Sequence, residues 1–317
     1  MGGRFLFHTG RTVKPQRQPS EPPTTHFVRE HAQRLFANLP GAQAGEEEPI
    51  HQIRVASRRL RVALPVAAQK PAGRRVRRSL KRLRALTRLA GQGRDLDVGA
   101  ALFDKEAPRA GVAPLVLRLL RDRLAGARTR AHRKLANALA DFDATRLHED
   151  LDILIARGGV DSGEAALRLG SARRKHARVA LEELRALGRH FAPMALHAVR
   201  RRCRWLRYAA ELDRAVFGGR DAAVRRFKDL QDILGKLHDA FVLAEWIARE
   251  ATAWEAQGRH ARAAAARGLS AHLRDRAQAL HRRFLKVRIA DWLESVQRRN
   301  AALYRQPASK SADHAQL

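Results

Sequence analysis

One cysteine, two methionines and two tyrosines are spread over 317 residues. The lone thiol, Cys203, excludes an intrachain disulfide and any CxxC metal or redox pair. Such cysteine usage suits a reducing compartment, so a cytoplasmic protein is expected. Aromatic residues amount to only 5%, which argues against strands, because sheets draw on aromatic and β-branched side chains. No stretch alternates apolar and polar with period two. Nor does any apolar run approach the roughly 20 residues that a membrane-spanning helix needs. The N-terminal MGGRFLFHTGRTVKPQRQPS has no signal-peptide core, so a soluble chain without membrane insertion is expected. Acid is the last shortage: 32 Asp and Glu stand against 63 Lys and Arg, a net charge of +31.

That excess points to a polyanionic partner, whether nucleic acid, polyphosphate or an anionic surface. Its make-up sharpens the reading. Ten of the cations are Lys and 53 are Arg. Guanidinium is planar, permanently charged, and grips phosphate oxygens through paired hydrogen bonds. The apolar fraction, 45% and rich in Leu and Ala, suits helix-on-helix packing.

Residues 1–23 are rich in Pro, Arg and Gln without periodicity and read as a disordered basic arm. From Thr24 the pattern is helical, and a polar tail from 305 to 317 reads as disordered. Turn signals near Pro40-Gly41, Pro71 to Gly73, Gly91 to Gly93, Pro108 to Pro114, Gly158-Gly159, Gly188 to Pro193, Gly218-Gly219 and Gly235 predict about ten to twelve helices. A repeat is also visible. His51-Gln-Ile-Arg54-Val-Ala-Ser-Arg58-Arg-Leu-Arg61 aligns with His197-Ala-Val-Arg200-Arg-Arg-Cys-Arg204-Trp-Leu-Arg207, an offset of 197 − 51 = 146. Gly91-Gln-Gly-Arg94-Asp95 aligns with Gly235-Lys-Leu-His238-Asp239, an offset of 235 − 91 = 144. The expectation is an all-α, duplicated domain over 24–304. Its two antiparallel bundles, 24–157 and 161–300, would be related by a pseudo-twofold around a basic cavity.

The repeated segments carry the chemistry. On a helical wheel His51, Arg54, Arg58 and Arg61 fall within an arc of about 80° and span roughly 15 Å. Ile53, Ala56, Leu60 and Leu64 lie opposite. His197, Arg200, Arg204 and Arg207 repeat the ladder, with Val199 and Leu206 behind. A second stripe follows at Arg74, Arg77, Lys81, Arg84 and Arg88. Its counterpart keeps Arg225 and Lys228 but has Asp221 and Asp232 at matching places. Stacked like charges disfavour a helix by a few tenths of a kcal/mol per pair, and a solvated face normally mixes signs. Ladders without acid, repeated in both halves, therefore read as phosphate-binding rather than merely solvated.

His51 and His197 read as phosphate donors, or as groups that become protonated beside a polyanion. Isolated as they are, they do not form a metal site. Asp95 and Asp239 are expected to follow a turn and open a helix, there to cap it or orient a neighbouring arginine. The dipeptide His238-Asp239 occurs in metal-dependent phosphohydrolases, but the aligned position holds Arg94. Trp205, Tyr208, Trp246, Trp254 and Trp292 read as packing anchors, since the basic stripes lack the interleaved aromatics of single-strand nucleic-acid binders. Cys203 lies beside the cations, which could lower its pKa, and is assigned no role.

These residues resemble the CHAD family, the conserved-histidine α-helical domain. The likeness rests on His51-x-x-Arg54-Val-x-x-Arg58-Arg59-x-Arg61, Arg94-Asp95-x-Asp97-Val98, His197-x-x-Arg200, Arg204-x-x-Arg207-Tyr208 and Leu234-Gly235-x-Leu237-His238-Asp239, and covers about 24–300. Departures are Ala90, the acids of the second-half stripe, and His238, where the family has a small amide residue. The resemblance implies paired helical bundles, a basic central cavity that holds inorganic polyphosphate, and association with polyphosphate granules. The expected function is non-catalytic polyphosphate binding without cofactor or metal. A nucleic-acid-binding protein is the alternative, and a phosphohydrolase a remoter one.

Overall fold

The computed structural model describes residues 21–287 and 289–303, without the side chains of Gln92 and residues 297–303. The expected basic arm falls, up to residue 20, outside the described residues, and so does the expected tail. Among the described residues the chain forms eleven α-helices. They are α1 (Pro23–Ala37), α2 (Leu39–Gln43), α3 (Glu47–Ala67), α4 (Arg74–Glu106), α5 (Pro114–Ala140), α6 (Ala144–Ala156), α7 (Ser162–Leu187), α8 (Pro193–Phe217), α9 (Asp221–Glu255), α10 (His260–Leu285) and α11 (Ile289–Leu303). A single antiparallel bridge joins Ala68 to Gly159.

Local chemistry explains most boundaries. Pro23, Pro114 and Pro193 open α1, α5 and α8, where a missing N–H is harmless. Asp143 and Asp161 cap α6 and α7, their carboxylates accepting from the Arg146 and Glu164 amides at 2.9 Å each. Gly218 ends α8 in the left-handed conformation that a side chain would resist.

Two turn signals are corrected. Gly91 to Gly93 and Gly235 lie inside the unbroken helices α4 and α9, of 33 and 35 residues. A helix-interior glycine costs only about 1 kcal/mol, which the packing of such long helices on both sides offsets. Near Pro40-Gly41 the chain does break, with the five-residue α2 set between the end of α1 at Ala37 and the start of α3 at Glu47. Conversely, the turns at Asp141 to Asp143 and at Gln257 to Arg259 carry weaker signals.

The starts of four consecutive helices recur: α3 and α8 at 47 and 193, α4 and α9 at 74 and 221, α5 and α10 at 114 and 260, α6 and α11 at 144 and 289. The offsets are 146, 147, 146 and 145. In the middle of the molecule α3 packs on α4 and α8, and α9 on α4 and α8. Ile53, Ala56, Leu60 and Leu64 on α3, and Val199 and Leu206 on α8, are buried as the wheel requires. One apolar core gathers α1, α3, α4 and α6 with Tyr208 and Leu212 of α8. A second joins α7, α8, α9 and α11. A third closes the far ends of α4 and α9 on α5 and α10.

Two buried carboxylates tie helices together. Asp97 of α4 accepts from Arg128 Nε at 3.1 Å and faces His132 Nε2 at 2.9 Å, both on α5. Asp150 of α6, 3% exposed, accepts from Arg78 at 2.7 Å and Arg82 at 3.1 Å, with Arg75 at 3.9 Å. Asp150→Ala takes the carboxylate from Arg75 and Arg78 and leaves Arg82 with Asp143 alone, at 3.4 Å. The partners are about a third exposed, so the loss is expected to be about 2–3 kcal/mol, below the range for a fully buried pair. Denaturant unfolding checks this, and a change under 1 kcal/mol would mean the cluster is solvent-screened.

Candidate polyanion interface

The first rungs of the two ladders meet where α3 crosses α8. Arg54 Nη1 donates to the carbonyls of Ala90 at 3.2 Å and Gly91 at 3.5 Å on α4, and its Nη2 stands 3.9 Å from Asp95. Arg200 takes the corresponding place against α9, its Nη2 3.8 Å from where a Gly235 Cβ would stand. Of the mid-helix glycines only Gly235 has its Cβ direction beside a ladder guanidinium, at an ordinary contact distance; a Cβ at Gly91 would meet nothing within 4 Å and one at Gly93 would face His132 and Leu135 of α5. Burial lowers Arg54 to about 10, assisted by Arg58, Arg94 and Arg200 and opposed by Asp95. Arg204 falls to about 9, through burial and then Arg58, Arg200 and Arg54. Arg200 is lowered by burial and Arg58, against Asp239 and Asp95. All three remain charged at neutral pH. Four guanidinium groups, Arg54, Arg58, Arg200 and Arg204, therefore share one electrostatic neighbourhood, drawn from helices about 146 residues apart. Arg58 and Arg204 make no carboxylate contact within 4.0 Å among the described residues.

The remaining predicted residues divide. Arg61 is lowered by burial and by Arg84, which brings the α3 ladder alongside the α4 stripe. Arg77, Lys81, Arg84 and Arg88 are exposed on α4, with no carboxylate partner among the described residues. Arg225 and Lys228 are exposed on α9. Asp221 is engaged by Arg214 at 2.9 Å. Arg207 does not match its expected part. Its Nε donates to Glu211 at 2.8 Å and its Nη1 to Gln231 at 3.0 Å, beneath the Tyr208 ring. The ladder does carry an acid one turn on: Glu211 neutralises Arg207 and also binds Arg59 of α3 at 2.8 Å. Arg94, a position of the repeat and of the family motif that the ladders do not include, acts electrostatically on His51, Arg54 and Asp239. Its position, close in register to Gly91, was the available signal.

Asp95 and Asp239 do not open helices. They lie within α4 and α9 and act on each other across the site. Burial raises Asp239 to about 6 and Asp95 pushes the same way, while Arg200 and Arg204 oppose them. His51 is lowered by burial and then Arg94. His197 and His238 stand with their Nδ1 atoms 3.4 Å apart, and burial plus the surrounding arginines hold them down to about 4 and about 3. The histidines are thus neutral donors or acceptors before any ligand arrives. No group of three His, Cys, Asp or Glu side chains able to hold a metal occurs among the described residues. Cys203 is corrected: full burial pushes its thiol up to about 12 instead of activating it. Trp205 is stacked on His176 at 3.7 Å, and Trp254 and Trp292 are in the core.

A pH dependence follows from Asp239. Above its pKa of about 6 the carboxylate repels an incoming anion, and below it the repulsion is gone. Affinity for a polyanion is therefore expected to rise as pH falls from neutral through that value. Asp239→Asn should bind more tightly than wild type at neutral pH and flatten the profile. Equal pH profiles for the two proteins would show that Asp239 does not face the ligand. Stability runs the other way for His197 and His238. Their folded values lie below the ordinary imidazole value of 6.5, so the unfolded chain takes up protons first and stability falls as pH drops below 6.5. Asp239, raised above 3.8, partly compensates in the window between 3.8 and about 6.

A family model described as the CHAD domain matches residues 26–248. Two Mycobacterium tuberculosis proteins, from strains CDC 1551 and H37Rv and both described as uncharacterized, are 29% identical over 252 residues. That match covers 76% of this chain and 48% of theirs, so the chain spans about half the length of those relatives. Two solved structures share the fold. The CHAD domain from the plant Ricinus communis aligns with a TM-score of 0.60 and 18% identity, over 92% of this chain and 97% of that one. PptA from Streptomyces chartreusis aligns with a TM-score of 0.63 and 18% identity, over 84% and 100%.

Proposed function

The chain belongs to the CHAD family, and we propose that it binds inorganic polyphosphate without catalysing its turnover. The ligand lies along the basic stripes of α3, α4, α8 and α9, and the protein accompanies polyphosphate granules in the cytoplasm. One observation carries the reading: Arg54, Arg58, Arg200 and Arg204 converge from two sequence repeats, with Asp95 and Asp239 as the acids that act on them. Holding four like charges together is unfavourable unless a repeated anion neutralises them. The exposed stripe Arg77, Lys81, Arg84 and Arg88 extends that surface over roughly 16 Å of helix, enough to follow a chain rather than a single phosphate.

The aromatic residues favour polyphosphate over nucleic acid. Tyr208 is buried, Trp205 is stacked on His176, and Trp254 and Trp292 are in the core. None is a platform for bases, which supply affinity in single-strand binders. The test is a competition titration of long-chain polyphosphate against duplex DNA at one salt concentration. Polyphosphate is expected to displace DNA at an equal phosphate concentration; the reverse order would transfer the assignment to nucleic acid. In the same preparation, supplemented with divalent metal, orthophosphate release should not exceed that of His238→Ala/Asp239→Ala.

A further inference from the structure

A second basic cleft, of about 580 Å³, opens at the α3–α4 corner, away from the α3–α8 crossing. Its walls carry Lys70, Arg74, Arg75, Arg78 and Arg157 and no acidic residue. The volume is far beyond the roughly 10–15 Å³ that a single water requires. The nearest carboxylate, Asp150, lies buried beneath and is already shared by Arg75, Arg78 and Arg82. Arg82 also meets Asp143 at 3.4 Å, and three cations against two carboxylates still leave that cluster positive before Lys70, Arg74 and Arg157 are added. The Nε atoms of Arg75 and Arg78 are closed off from solvent and donate to nothing. Asp150 holds Arg78 at 2.7 Å with Arg75 Nε nearby at 3.9 Å, and both side chains stay about a third exposed, so their open portions rather than the enclosed Nε atoms line the cleft.

The backbone shapes the cleft. Gly73 closes the turn by donating to the Lys70 carbonyl at 2.9 Å, and a Cβ there would meet that oxygen at the same distance. On the opposite wall Gly158 has φ +70, and Gln69 donates to the Arg157 carbonyl at 2.9 Å, pinning the α6–α7 turn to the α3–α4 turn. The first turn of α4 lacks a side-chain cap and an acid, so its amide dipoles add to the positive field. At the corresponding start of α9, Asp221 is present and paired with Arg214.

We propose that this cleft is a separate site for a compact phosphoryl oxyanion, of diphosphate size, independent of the long groove above. The fixed Arg75 and Arg78 provide the floor, and Lys70, Arg74 and Arg157 close over the ligand. Two sources present this chemistry: free diphosphate, and the terminal phosphates of a polyphosphate chain.

Calorimetric titration of the full chain with inorganic pyrophosphate tests the site. In an Arg58→Ala/Arg204→Ala background, which weakens the groove by removing two of its central arginines, one pyrophosphate is expected to bind per chain at the cleft. Adding Lys70→Ala, Arg74→Ala and Arg157→Ala, none of which touches Asp150, should weaken it at least about tenfold, the equivalent of one charge-assisted hydrogen bond. Circular dichroism checks that the combined variant folds; if it does not, Lys70→Ala alone makes the comparison. Polyphosphate with both termini blocked as phosphoramidates separates the sources. If chain ends occupy the cleft, the cleft substitutions weaken binding of uncapped chains only. If free diphosphate is the ligand, they leave both chain forms unaffected. No pyrophosphate binding in the groove-weakened background, or binding indifferent to the cleft substitutions, overturns the proposal. Neither result would bear on long-chain binding at the groove.

Discussion

Arg58→Ala/Arg204→Ala is expected to weaken long-chain polyphosphate binding by about 10²–10⁴, since each arginine contributes ~1.5–3 kcal/mol in a charged hydrogen bond and 1.4 kcal/mol is tenfold. These two side chains are chosen because neither holds the protein together. Both lack a carboxylate within 4.0 Å among the described residues, and each acts on Arg200 or Arg54 as a repelling neighbour. Their removal should raise the melting temperature slightly. The control is Arg282→Ala/Arg283→Ala, two exposed cations at the end of α10. Net charge changes equally, so long-range attraction falls by a similar amount. A tenfold or smaller loss in the control against the full loss at the α3–α8 crossing is the expected pattern. Equal losses would mean that the chain holds polyanions by diffuse attraction and that the converging arginines have no special part. Affinity retained after Arg204→Ala but not after Arg58→Ala would confine the site to the first half. Arg207→Ala, by contrast, should affect binding little, because that side chain is already held by Glu211 and Gln231.

Raising salt from 50 to 200 mM is expected to lower polyphosphate affinity by about 10³-fold. Neutralising a flexible polyanion releases counterions with a log–log slope of about −0.7 per phosphate engaged. Four central arginines and the four exposed cations of α4 give a slope of about −5 to −6 on that rule. The quadruple variant Arg77→Ala, Lys81→Ala, Arg84→Ala, Arg88→Ala should bring it back by about 3 units. These four residues are exposed and make no carboxylate contact among the described residues, so the fold should not suffer. A slope that stays the same would place the ligand only at the α3–α8 crossing. A slope near −1 in wild type would contradict extended binding altogether.

Much of the molecule is legible along the chain, for a physical reason. Helical periodicity, the cationic face and the apolar back of α3 and α8 are properties of residues three and four apart, and 3.6-residue geometry imposes them locally. The all-α class, the cationic stripes, the buried Ile53, Leu60, Val199 and Leu206, and the near-constant offset between repeated segments are therefore read directly from the residues. Turn chemistry was legible where proline or an aspartate cap marks a helix start, and misleading where Gly91, Gly93 and Gly235 sit inside helices. There the long helices α4 and α9 pack on several neighbours and carry the small cost of an interior glycine, which no local rule contains.

Local residue order alone gives an all-helical, strongly cationic chain whose repeated faces are acid-poor. Which cations remain available is set by the packing of helices distant in sequence. Arg207 and Arg59 are tied to Glu211, and Arg75, Arg78 and Arg82 share Asp150. Arg54, Arg58, Arg200 and Arg204 are instead gathered into one site, and Asp239 is moved to about 6. Those outcomes depend on contacts between residues tens to more than a hundred positions apart, and on desolvation by every neighbour at once. A periodic pattern says which face of a helix a side chain occupies. The packing of α3, α4, α8 and α9 sets which charge it meets there and how much water is left around it.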